Sequence, residues 1–129
     1  GIPAFAVEKT LKVKPFHLDS IRMAREAGVL VAAGTDAGTP FNLHGENLGE
    51  IKLLVDYGGF SPMAAIEAGT RVAARVLGLE KELGTVEEGK VADLVLVEGN
   101  PLDNIDVLLN QESICLVMQG GKIVKGEIF

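Results

Sequence analysis

Val29-Leu30-Val31-Ala32-Ala33 runs without a break into Gly34-Thr35-Asp36-Ala37-Gly38-Thr39-Pro40. Five consecutive apolar residues suit a strand covered on both faces, as in a parallel sheet with helices outside it. The glycine-bearing loop opens directly from that strand, and Asp36 stands at the junction. In parallel barrels the catalytic groups gather at the C-terminal ends of the strands. A carboxylate there can bind a metal ion or take a proton from a metal-bound water. Spacing alone leaves a plainer alternative open, in which Asp36 forms an Asx-turn with the loop backbone.

Outward from this stretch the pattern is helical on both sides. Upstream, Asp19 or Ser20 can cap a helix carrying Ile21, Ala24 and Ala27, with Gly28 as its stop. Downstream, Leu48, Ile51, Leu53, Leu54 and Val55 form a helical stripe ending near Tyr57 and Gly58-Gly59. Ser61-Pro62 predicts another helix start, with serine as N-cap and proline at the first helical position. Ala64, Ala65 and Ala68 let that helix approach a neighbour closely. Thr70 can cap a third helix through Ala73, Ala74 and Leu77, stopped by Gly78.

The last third changes character. Gly84-Thr85-Val86, Ala92 to Val97, Ile114 to Gln119 and Lys122 to Lys125 read as short strands. Gly120-Gly121 joins the last two as a tight hairpin, and Asn100-Pro101 marks a further turn. A helix-rich first half and a strand-rich end predict two structural units.

The chain has 129 residues, 47% hydrophobic and 23% charged, with a net charge of -6. That size supports a real core, and that charge argues against non-specific nucleic-acid binding, which needs clustered Lys and Arg. No apolar stretch reaches the roughly 20 residues of a membrane helix. Cys115 is the only cysteine, so no internal disulfide forms, and a reducing cytoplasm fits. Its place in Ile114-Cys115-Leu116-Val117-Met118 predicts a buried, inert thiol. The first residue is Gly1, with no initiator Met near it and no signal-peptide pattern. The expected reading is a chain that starts inside a longer protein, although a tag remnant also explains Gly1.

Few other residues invite chemistry. His44, in Asn42-Leu43-His44-Gly45-Glu46-Asn47, can approach whatever Asp36 serves, as a substrate contact or acid/base group. It reads equally as a solvated loop histidine. His17 is expected to be a surface or capping residue. Glu46 and Glu50 share one face if helical, and a solvated acidic face is the expectation. Lys90 and Asp93 read as structural residues of a turn and a strand start. No zinc-type cysteine cluster, H-E-x-x-H helix or phosphate loop occurs.

These stretches together resemble the amidohydrolase superfamily, in the branch holding imidazolonepropionase-like and prolidase-like (Xaa-Pro or Xaa-Arg dipeptidase) enzymes. The matching motifs are Gly34 to Pro40, His44-Gly45-Glu46-Asn47, Gly59-Phe60-Ser61-Pro62-Met63-Ala64-Ala65-Ile66 and Ala73 to Leu79. Gly84-Thr85-Val86-Glu87-Glu88-Gly89-Lys90-Val91-Ala92-Asp93-Leu94-Val95-Leu96-Val97 follows in order, then Asn100-Pro101-Leu102 and Val117 to Val124. The resemblance implies an α/β fold: the last elements of a (β/α)8 TIM-type barrel in residues 1–78, with strand eight near 29–35. Residues 79–129 would then be the C-terminal share of a small β-sandwich.

By the same resemblance Asp36 is both a metal contact and the catalytic proton shuttle, and His44 is a substrate contact. One or two divalent metal ions, zinc foremost, are implied for the parent enzyme, with a small amide or dipeptide as substrate. The family's H-x-H pair, its bridging Lys or Glu and its two later metal histidines are absent from this sequence. Two readings follow. One is the C-terminal part of an enzyme that hydrolyses C–N amide bonds. The other is a non-catalytic assembly fragment that binds no metal by itself. An incomplete barrel leaves apolar faces uncovered, so the chain alone is expected to homo-oligomerise, swap elements or stay partly disordered at its N-terminal end.

Overall fold

The computed structural model describes residues 2–39 and 42–127; Gly1, Pro40, Phe41 and the last two residues lie outside it. Helix α1 spans Ala4–Glu26. The predicted start at Asp19 or Ser20 is not observed, because both side chains are satisfied inside the helix. Arg22 donates to the Asp19 carboxylate at 2.6 Å, and the Ser20 hydroxyl donates back to the Phe16 carbonyl at 2.8 Å. Such back-bonding lets a cap-type residue sit in mid-helix. The predicted end is observed, with Glu26 the last helical residue ahead of Gly28. No residue of α1 is buried, and Phe5, Leu11, Phe16 and Met23 are all exposed.

Val29 to Thr35 forms neither helix nor paired strand among the described residues. A strand exists only through the neighbours that take up its N–H and C=O groups. Here Ala33 N–H donates to the Ala68 carbonyl at 3.0 Å, a contact with a helix end instead of a sheet. Val31 and Ala33 pack against the core, whereas Val29 and Leu30 are more than half exposed. The expected two-faced burial is therefore not present in this chain.

Helix α2 spans Leu48–Asp56, α3 Pro62–Gly69 and α4 Arg71–Val76. Ser61 caps α3 as predicted, its hydroxyl oxygen accepting from Ala64 N–H at 3.3 Å. Thr70 precedes α4 but does not cap it; its hydroxyl donates to the Ile66 carbonyl at 2.8 Å. The core is small. Ile51 and Leu54 of α2 meet Ala65 and Ala68 of α3, both alanines fully buried, and Ile105 closes the cluster. Lacking bulk beyond Cβ, the alanines let α3 lie close against α2.

The C-terminal third is an antiparallel meander of β1 (Leu94–Val97), β2 (Ile114–Gln119) and β3 (Lys122–Lys125), in that order. Gly120-Gly121 turns β2 into β3, with Gln119 facing Lys122. A 3₁₀ turn at Ile105–Leu108 carries the core residue Ile105. Lys52 of α2 bridges to it, pairing with Asp106 at 2.8 Å and with Asp56 at 2.9 Å. The hydrogen bonds that Lys52 donates to Asp106 first, then to Asp56, hold its ammonium well above the usual lysine range, so the bridge stays charged. Cys115 is exposed, not buried as its apolar neighbours suggested, because no described element covers its face of β2.

Gly84 to Val86 is bent instead of forming the predicted strand. The cause is Lys90. Its ammonium donates to the carbonyls of Glu80 (2.8 Å) and Leu83 (3.5 Å) and to the Thr85 hydroxyl, with Glu87 at 3.7 Å. The segment thus curls around one cation whose side chain is only 12% exposed. Asp93 ties the start of β1 to the hairpin by accepting from Gly120 N–H at 2.7 Å. Both residues have the structural roles expected of them. Lys90→Met keeps the stem and removes the cation, stranding three acceptors. A loss of about 2 kcal/mol is expected. Urea unfolding checks it, and a change under about 0.5 kcal/mol, the scale of an inert surface substitution, contradicts the cage.

The accessible surface is 9358 Å². A compact monomer of 13.6 kDa exposes about 6,600 Å². The excess lies in apolar faces: α1, the start of the 29–35 segment, and the outer sides of β1 and β3.

Candidate functional site

Asp36 has a φ of 49°, the only non-glycine residue with positive φ among those described. Aspartate tolerates this left-handed conformation better than most residues, but it persists only where the surroundings hold it. The surroundings are a small hairpin. Gly38 N–H donates to the Asn42 carbonyl at 2.9 Å, and Asn42 N–H donates to the Thr39 carbonyl at 3.1 Å. The Asn42 side-chain amide donates to the Thr35 carbonyl, and Ala37 N–H donates to the Thr35 hydroxyl at 3.3 Å.

None of these bonds uses the Asp36 carboxylate, which is exposed and makes no hydrogen bond or ion pair among the described residues. The Asx-turn alternative is not what the structure shows, since threonine and asparagine close the turn instead. His44 returns to the same loop. It is exposed, and its Nε2 lies so near Gly38 that a Cβ there would sit 3.1 Å away. The Asp36 and His44 segments are therefore brought together through Gly38, whose missing side chain leaves room for the imidazole.

His17 stands exposed in the middle of α1, and Glu46 is exposed ahead of α2. Glu50 departs from a solvated acidic face. It is half-buried and lines a cavity of about 100 Å³ with Thr35, Asn47, Leu48 and Ile51, just behind the Asp36 junction. The sequence reading missed this and missed Asn42. The one available signal was an asparagine six residues beyond Asp36 in a glycine-rich loop. A larger open hollow of about 440 Å³ is lined by none of residues 35–46. Its Arg71 is paired with Glu67, and its Lys90 is held in the cage.

Among the described residues, no three His, Cys, Asp or Glu side chains converge as a metal site would need. Hydrolytic zinc takes about three protein ligands plus water. The described residues do not make such a site; they offer toward one a carboxylate, Asp36, that has no partner among them. No described helix is long and apolar enough to cross a membrane.

The chain is thus an α/β protein that presents an exposed carboxylate from a glycine-rich loop. Residues 7–124 match the family model described as Amidohydrolase family, and the chain belongs to that family. Ochratoxinase from Aspergillus niger is 37% identical over 113 residues, 85% of this chain and 22% of that protein. Imidazolonepropionase from Thermoplasma volcanium is 32% identical over 103 residues, 80% of this chain and 25% of that protein. The crystal structure of a Xaa-Pro dipeptidase with methionine bound in its active site superposes with a TM-score of 0.83 at 38% identity. It covers 97% of this chain and 29% of its own. The chain spans about a quarter of the length of these relatives.

Proposed function

We propose that this chain is the C-terminal part of a metal-dependent amidohydrolase that cleaves a C–N amide bond in a dipeptide, an N-acyl amino acid or a cyclic amide. The observation that carries the reading is Asp36: a carboxylate in a left-handed backbone conformation, held by the loop yet bonded to none of the described residues. Structural aspartates use their oxygens locally, whereas neither oxygen of this one has a partner among the described residues. In the proposed chemistry Asp36 accepts a proton from the water that attacks the amide carbon and returns it to the leaving nitrogen. His44 contacts the substrate from the other arm of the loop. Residues 1–78 supply the end of a barrel, with 29–35 as its eighth strand, and residues 79–129 supply strands of a small sandwich.

One or two divalent ions, zinc foremost, belong to the complete enzyme, whose other ligands come from sequence this chain does not contain. The substrate classes are suggested by a Xaa-Pro dipeptidase and an imidazolonepropionase among the relatives. The lone unpaired thiol of Cys115 supports a cytoplasmic location. The exposed apolar faces support association of the isolated chain with itself.

For the chain on its own, the lack of three converging ligand side chains among the described residues favours the second reading, a non-catalytic assembly piece. Elemental mass spectrometry of the purified, dialysed chain separates the two. Well under one equivalent of zinc, manganese or iron is expected. Metal at stoichiometry shows that association or the two histidines complete a site here. A panel of Xaa-Pro dipeptides, N-acyl amino acids and cyclic amides given to the complete enzyme then tests the reaction. No turnover of any of them would sink the enzymatic reading.

A further inference from the structure

Asp36 is fixed from both sides, and one residue does most of the fixing. The Asn42 side-chain amide donates to the Thr35 carbonyl, the peptide immediately before Asp36. The Asn42 main-chain carbonyl accepts from Gly38 N–H, two residues after Asp36, at 2.9 Å. The hairpin closes through Asn42 N–H on the Thr39 carbonyl at 3.1 Å. Asn42 is itself half-buried.

A φ of 49° on a residue with a Cβ is not where the free chain rests. Without the Asn42 side chain, the Thr35–Asp36 peptide can rotate and Asp36 can relax to negative φ. That rotation swings the carboxylate away from its present direction. An amide suits the task because it donates to a carbonyl without adding charge beside a working carboxylate.

We propose that Asn42 is a positioning residue for Asp36, holding the backbone turn that aims the carboxylate. The inference rests on the proton-transfer role proposed above for Asp36. It predicts that Asn42 matters to the reaction only through Asp36.

A double-mutant cycle in the complete enzyme tests this, with rates expressed per folded molecule. Asn42→Ala is expected to lower kcat by about 10- to 100-fold, the scale of a misaimed catalytic group, with KM changed by less than about threefold. In an Asp36→Asn background the same substitution is expected to change kcat by less than about twofold, because the group it aims is already lost. A purely structural Asn42 would lower the folded fraction and leave kcat per folded molecule unmoved. Should Asn42→Ala not fold, Asn42→Ser, which keeps a polar loop but shortens the donor, carries the same cycle. Wild-type kcat in the folded Asn42 variant, or an equal loss in both backgrounds, overturns the inference and leaves the Asp36 reading standing. Wild-type activity in Asp36→Asn alone overturns both.

Discussion

Asp36→Asn in the complete enzyme is expected to lower kcat/KM by about 10²- to 10⁴-fold, the range for losing a general acid–base group. Its stability is expected to change by less than about 0.5 kcal/mol. The two halves of the prediction have separate physical grounds. Asparagine matches aspartate in shape and shares its tolerance of the left-handed region, so the φ of 49° survives the change. The carboxylate makes no bond within the described chain, so the fold loses nothing with it. What disappears is the ability to accept and return a proton. Steady-state kinetics and thermal unfolding of the same preparations decide it. Activity within threefold of wild type would remove Asp36 from the reaction. A large loss of stability would mean that the carboxylate serves the loop after all.

Gly84→Ala is expected to destabilise the chain by about 2 to 6 kcal/mol. Gly84 has a φ of 91°, a region that costs an alanine about 1–3 kcal/mol. The added methyl group would also lie 2.7 Å from the Ala74 Cβ and 3.0 Å from both the Arg71 Cα and the Thr70 carbonyl oxygen. Two of those three contacts are backbone atoms, which cannot turn aside, and such overpacking costs about 1–3 kcal/mol more. Gly89→Ala is the matched control. It has nearly the same φ, 89°, but nothing lies within 4 Å of the added methyl, so only the backbone strain remains. Urea denaturation of the two variants separates strain from collision. Equal losses would show that the close contact of Gly84 with α4 does not matter to stability.

Gly84 illustrates why some elements were legible in the sequence and others were not. The Ser61-Pro62 cap of α3 and the β2–Gly120-Gly121–β3 hairpin rest on contacts within a few residues. Their patterns therefore translate directly into structure. Gly84 to Val86 carries strand-like chemistry but bends, because the Lys90 ammonium draws carbonyls from Glu80 and Leu83 around itself. Asp19 and Ser20 have the chemistry of a helix start, yet lie inside α1, since Arg22 and the Phe16 carbonyl satisfy them there. A cap residue states what its side chain can bond, not which partner will be nearest.

The sequence by itself determined the family motifs, the position of Asp36 after an apolar run, the return of His44 to the same loop region, and the shortage of metal ligands. These depend on residue type and order alone. Only the tertiary structure decided that Asp36 is left-handed and exposed, that Asn42 ties both sides of it, and that Glu50 is half-buried behind it. It also decided that Cys115 and the α1 face stand exposed. Burial and hydrogen-bond partnership belong to pairs of residues, and no single position in a sequence specifies its partner.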